Sequence, residues 1–282
     1  MKAKGVIRDI VTIAKFNLKI EMRYPLSYIG AILNLLFWIL SFAVLAMMFS
    51  TGSGYEIIVG NMILWGIVAY LVFQIMLSEV AFGFVRLQRR GTLEQIFLAP
   101  IKEWTLPLGL VAYSLVIYFV FSLLTIAFMV VFLGIPLIIR NALSGAFNFI
   151  LFLMMSYGFA LLFAGLMLRL KRAGWSLVNF IQFFVMIFGG VFYPFRSLPK
   201  IVLFISRAIP FSYGLDLLRT SIVGVDPELV PSVINFLGFT ISGFLLEELL
   251  VIFISVLSLV IGYMYFIATL NDAKRRGYLA TY

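Results

Sequence analysis

Long apolar stretches separated by short polar inserts dominate the chain. Residues 26–49, 57–85, 104–133, 141–168, 174–193 and 244–270 each read as a membrane-spanning helix. About 20 apolar residues, at roughly 1.5 Å each, cross ~30 Å of hydrocarbon. No alternation of apolar and polar positions over ~10-residue segments occurs, which excludes a β-barrel reading. Residues 6–23 behave differently. Ile7, Ile10, Val11, Ala14 and Leu18 share one helical face, and Arg8, Thr12, Lys15 and Lys19 another. That spacing predicts an amphipathic helix in the membrane interface, ended by Pro25.

Residues 194–243 break the pattern again. Pro194, Pro199, Pro210, Pro227 and Pro231 forbid one continuous span, yet Ile201–Ile205 and Leu215–Val223 are apolar. The segment predicts two short helices, 199–208 and 212–223, dipping into the bilayer as a hairpin. Irregular backbone at that depth requires cover from protein or a water-filled cavity. Asp216 and Arg219, three residues apart, are placed to pair on one helical face. The expected fold is therefore an all-α integral membrane domain covering residues 1–282.

Composition agrees. Of 282 residues, 63% are hydrophobic and 12% charged, far from the balance of a soluble domain. There is no cysteine or histidine, so thiolate nucleophiles, imidazole acid–base chemistry and the usual soft metal sites are excluded. No cofactor or metal site is expected on this chain. The net charge is +9, and its distribution reads as orientation, with no nucleic-acid partner. With the N-terminus in the cytoplasm, sixteen of the 21 Lys and Arg residues fall inside. The five outside are Arg140, Arg196, Lys200, Arg207 and Arg219. That bias predicts a multi-pass protein of the cytoplasmic membrane with both termini inside. The start of the chain lacks the uninterrupted apolar core of a secretory signal.

The same topology puts RRGTLEQIFLAP, residues 89–100, in the cytoplasm. Thr92 and Gln95 have capping-box spacing, and Glu94 faces the positive end of the helix dipole. Gly91 allows a tight entry and Pro100 ends the element. Residues 92–99 therefore predict a short helix with an apolar edge of Leu93, Ile96 and Phe97. It is too short to stand alone in water and must dock on something.

Charges within the spans are few. Glu79 is the clearest; it lies near the cytoplasmic interface and is expected to pair with a basic residue. Glu247 and Glu248 open the sixth span and are expected to be solvated or capping. Asn61, Gln74, Asn148, Asn179 and Gln182 are polar positions suited to joining helices or lining a path. Phe180, Phe184 and Phe188 recur every four residues along the fifth span. They suit core packing or an aromatic lining of a pathway.

RRGTLEQIFLAP between the second and third spans resembles the signature loop of the permease subunits of type 2, exporter-class ABC transporters. A second stretch, GGVFYPFRSLPKIVLFISRAIPFSYGLDLLR (residues 189–219), is similar to the same family. Its matching positions are Gly189, Gly190, Pro194, Leu198, Pro199, Pro210, Tyr213, Asp216 and Arg219, with Tyr193 where the family often has Phe. The resemblance covers nearly the whole chain. It implies that 92–99 is a coupling helix seated on a separate ABC ATPase, with Arg89, Arg90, Glu94 and Gln95 in polar contact and Gly91 and Thr92 shaping its start. It further implies two ATPase subunits carrying ATP and magnesium, and a second copy of this chain or a similar permease. The fifth span would then lie near the seam between the two. Pro199, Pro210, Tyr213, Asp216 and Arg219 would belong to the outer hairpin. No G-x-x-x-x-G-K-[ST] loop is present, so nucleotide is not held here by that device. The expected cargo is an amphipathic or hydrophobic molecule, drug-like or lipid-like. A polysaccharide or lipid-linked glycan is the alternative within the class. A stand-alone secondary transporter is a rival outside it, weakened by the lack of an internal repeat and of midplane ion ligands.

Overall fold

The computed structural model describes residues 3–23, 55–89, 91, 95–96, 104–170, 172–236 and 239–275, with scattered positions between 26 and 40. The first expected span, 26–49, falls mostly outside the described residues.

Helix α1 (Ala3–Glu21) precedes the long helical run of α2 (Tyr55–Leu77), a π-helical turn (Ser78–Phe82) and α3 (Gly83–Arg89). Then come α4 (Thr105–Val131), α5 (Ala142–Leu170) and α6 (Arg172–Phe188). A short 3-10 turn (Phe195–Ser197) leads to α7 (Lys200–Ala208) and α8 (Pro210–Val223), whose axes are bent by 98°. A small antiparallel pair, β1 (Val233–Phe236) and β2 (Phe239–Ser242), connects to α9 (Gly243–Arg275). Its register runs from Val233↔Ser242 to Phe236↔Phe239. The sequence expectation was purely helical. VINF and FTIS are β-branched and aromatic around Leu-Gly, a strand–turn–strand composition.

Among the described residues, four helices are long and apolar enough to cross a membrane, at 57–88, 105–131, 142–170 and 243–275. The bent pair α7–α8 makes a fifth only if it is taken as one broken span. Six full spans are therefore not what the described residues show. Of the two others, 26–49 falls mostly outside the described residues, and α6, expected to run to 193, ends at Phe188. Gly190 adopts φ +76, a left-handed conformation open to glycine, and stops the helix. At 17 residues α6 is roughly 26 Å long, short of the hydrocarbon thickness.

The core is organised around α2. From Asn61 to Phe73, Trp65 alone is only half-buried; the rest of the stretch is enclosed on every face, as expected of a helix apolar all round. Phe211 of α8 sits among Phe73 and Phe152, with both ring centroids at 5.2 Å, and Tyr70 at 6.4 Å. Helices α5 and α9 pack closely. A Cβ on Gly262 would lie 2.1 Å from the Gly158 carbonyl oxygen, and Ser255 Oγ donates across the seam to Leu151 O at 2.9 Å. Small residues that admit close backbone approach, joined by serine hydroxyls, hold helices together where no hydrophobic driving force separates helix from lipid.

Helix α1 docks on α4. Its inward face differs from the expected one. Ala14 is buried and Ile10 and Leu18 half-buried, but Ile7 and Val11 are exposed. Ile13 takes their place, touching the backbone at Gly109, where a Cβ would lie 2.5 Å from Ile13 Cγ2. The helix thus divides its apolar residues between α4 and the outside of the fold.

Candidate functional site

Two polar constellations sit on the α2 core, one at the end carrying the bent helix pair and one at the end leading to the 89–100 loop.

At the first, Arg219 of α8 is wholly enclosed. Its Nε donates to Met62 O at 2.8 Å, Nη2 to Val191 O at 3.0 Å and Nη1 to Tyr193 O at 3.3 Å. One guanidinium thereby ties α2, the turn after α6 and α8 together, its fork geometry matched to three carbonyls. Gly66 makes room for this: a Cβ there would meet Val191 O at 2.1 Å and Arg219 Nη2 at 2.5 Å. The Phe195 ring lies 5.9 Å from the guanidinium carbon. Asp216, one turn earlier, does not pair directly with Arg219 as the sequence suggested. Its Oδ2 accepts the backbone N–H groups of Glu228 and Leu229, both at 2.8 Å. Glu228 in turn accepts the Phe195 N–H and pairs with Arg196 at 3.7 Å. The helical spacing of Asp216 and Arg219 is real, but each finds backbone partners on neighbouring segments, which the sequence interval could not reveal.

Pro199 precedes α7 as its cap residue and Pro210 occupies the first turn of α8, where a missing N–H is harmless. Tyr213 Oη donates to Arg207 O at 3.0 Å, bracing the elbow. Glu247, expected to be solvated, is instead fully buried at the start of α9. Glu228 and Glu247 were missed as partners of this end. A glutamate in an otherwise apolar span was the available signal.

At the other end, the π-helical turn 78–82 interrupts the long helix. Glu79 and Arg86 form an ion pair across it, the basic partner expected for Glu79. Gln182 of α6 donates to Ser78 Oγ at 2.8 Å and to Gln74 O at 3.4 Å, and Tyr70 Oη donates back to Gln182 O at 3.1 Å. Gln182 is thus helix glue, as is Asn61, which donates to Pro136 O and accepts from Ile138 N, both at 2.8 Å. Asn148 is buried with neither amide atom hydrogen-bonded.

Beyond Arg89 the chain turns at Gly91, whose φ is +65 and whose N–H reaches Gln88 O at 3.0 Å. Gln95 and Ile96 are helical, Gln95 exposed and Ile96 half-buried against the core. Arg90, Thr92, Leu93, Glu94 and Phe97 lie outside the described residues, and with them the Thr92–Gln95 cap. On α6, Phe180, Phe184 and Phe188 form a ladder with centroid steps of 5.9 and 4.8 Å. Phe180 and Phe183 are exposed, Phe184 and Phe188 half-buried. The ladder runs from the surface at Phe180 to Phe184 and Phe188, which pack against the core.

A bundle of long apolar helices with a broken helix pair and no metal-binding cluster among the described residues defines a multi-pass membrane protein. Residues 8–223 match the family described as ABC-2 type transporter. The chain belongs to that family, and is an ABC transporter permease: a transport domain of exporter class, not a catalytic one. Among curated proteins no relative matches it.

Proposed function

We propose that this chain is the membrane subunit of an ATP-driven exporter, working as a pair over two separate ABC ATPase subunits in the cytoplasmic membrane. Both termini lie in the cytoplasm, as the Lys and Arg distribution requires, and the α7–α8 elbow then faces outward. The observation that carries this reading is the helical run from Tyr55 to Arg89, which ends in the Gly91 turn within a family-matched region. A long, core-enclosed helix leading directly into residues 92–99 is suited to passing rigid-body motion from a docked ATPase into the bundle. The Glu79–Arg86 pair braces its one irregular turn. In this reading Arg89, Arg90, Glu94 and Gln95 make the polar contacts to the ATPase, and Leu93, Ile96 and Phe97 the apolar ones.

The cargo is an amphipathic or hydrophobic molecule. The ladder of Phe180, Phe184 and Phe188, exposed at Phe180 and half-buried beyond it, supplies an aromatic surface where a second copy would complete a seam. The same ladder keeps a glycan chain as the second reading, since sugar faces also stack on rings.

The test is co-purification with whichever ABC ATPase is encoded nearest to this chain, followed by ATPase assays of wild type and of Glu94→Ala with Phe97→Ala. A stable complex that the double change breaks or uncouples is expected. No association with any such ATPase would overturn the reading and favour a secondary transporter.

A further inference from the structure

The bent helix pair meets α9 at two carboxyl groups with no donor between them. Asp216 and Glu247 are both fully buried, and each lies beside one packed cluster in which Tyr213 and Leu217 of α8 meet Phe244 and Val251 of α9. Neither Glu247 oxygen receives a hydrogen bond from an N–H or O–H group, and nor does Asp216 Oδ1. Asp216 Oδ2 is occupied by the two backbone N–H groups. Two ionised carboxylates cannot face each other in this way: the repulsion and the loss of water would each cost several kcal/mol. Something positive must lie between them.

The surrounding charges say how much. Glu228 follows α8, and Arg219 and Tyr213 project from α8 itself; Tyr193 faces Arg219, and Arg207 faces Tyr213. Arg196 pairs with Glu228. Helix α5, packed on both α8 and α9, carries no titratable side chain between Ala142 and Met155. Asp216, Glu228 and Glu247 thus stand against Arg196 and Arg219. Arg196 and Arg207 are exposed, so inside the junction only Arg219 offsets the carboxyl groups, and its donors are spent on carbonyls.

We propose that Asp216 and Glu247 bind a single proton between them, a proton site that joins the elbow helix α8 to the last long helix α9. The protonated carboxyl donates to its partner, which satisfies the three orphaned oxygens as far as one O–H can. Separation of α8 from α9 would expose both groups to water and release that proton, so opening of the elbow and proton release are one event. The inference does not depend on the cargo or on the ATPase.

Above about pH 5 the folded pair holds one proton more than the unfolded chain, in which both groups titrate at roughly 4. The stabilisation is complete below that range. It falls as pH rises, by up to about tenfold in the folding equilibrium per pH unit. Glu247→Gln replaces the proton with an amide N–H that can still donate to Asp216, and Asp216→Asn does the same in reverse. The experiment uses the full-length protein in detergent, with infrared spectra in D2O at neutral pH and thermal unfolding across pH. A protonated-carboxyl C=O band is expected in wild type and is lost in each variant, with the pH slope flattened in both. The proposal is overturned if wild type shows no such band, or if wild type and variants share one slope. It is also overturned if sodium ions raise wild-type stability while the band is missing, since a metal cation would then fill the gap. If one variant does not fold, the other reads the same two quantities.

Discussion

Arg219→Met removes a buried charge whose three acceptors stay behind. Met62, Val191 and Tyr193 would each keep a carbonyl facing an apolar side chain of similar length. Bonds from a charged donor contribute about 1.5–3 kcal/mol each. The three here share one group, and the 3.3 Å contact to Tyr193 is the weakest, so the full sum overstates the loss. Breaking a buried charged network by deleting one partner costs about 3–5 kcal/mol. For a chain of this size that is a fall in unfolding midpoint of roughly 6–20 °C. Arg219→Lys keeps the charge but not the fork. An ammonium reaches one or two of the carbonyls, so this variant should fall between wild type and Arg219→Met. The assay is thermal unfolding of the purified protein in detergent, followed by tryptophan fluorescence. A midpoint for Arg219→Met within about 2 °C of wild type would refute the argument, because that is the effect of under ~1 kcal/mol. It would mean that α2, α8 and the turn after α6 are held by packing alone.

Two further outcomes follow from the packing. Gly262→Ala places a methyl carbon 2.1 Å from the Gly158 carbonyl oxygen and must push α5 from α9, costing about 1–3 kcal/mol. Gly30→Ala, with no described residue within 4 Å of the new carbon, is the control, and equal unfolding midpoints for the two would refute the close contact. Gln182→Leu removes the bonds to Ser78 Oγ and Gln74 O. It should lower stability by about 0.6–1.7 kcal/mol, the range for side-chain bonds between membrane helices, and an unchanged denaturation midpoint would show that the π-helical turn needs no such brace.

Much of the architecture was legible because hydrophobic length is a strong signal in a membrane protein. The starts and ends of α4, α5 and α9 lie within a few residues of the positions that the apolar runs predict. Backbone hydrogen bonds must be satisfied inside each segment, so little else can compete. The prolines at 199 and 210 likewise marked the elbow. What failed was anything decided between segments. The end of α6 at Phe188 depends on the left-handed Gly190 just beyond it, which an apolar count passes over. Ile13 replaces Ile7 and Val11 because the groove beside Gly109 lies on α4, far away in sequence.

Arg219 shows the same divide in chemical form. A three-residue interval to Asp216 suggested an ion pair, and on an isolated exposed helix it would favour one. In the folded chain both groups lie in a crowded, water-poor junction, where what counts is how many backbone groups each can satisfy. The guanidinium has five N–H donors in a fork, and the turn after α6 offers carbonyls that no helix uses. The carboxylate has the inverse need, and the segment after α8 offers free N–H groups at Glu228 and Leu229. Each charge therefore solves the termini of a neighbouring element, and their own attraction acts through space as a secondary effect. This division leaves Asp216 with one oxygen uncommitted, beside the α8 residues that pack on α9. A direct Asp216–Arg219 pair would have closed that position. Its absence is what brings Glu247 into play and makes the elbow sensitive to a single proton.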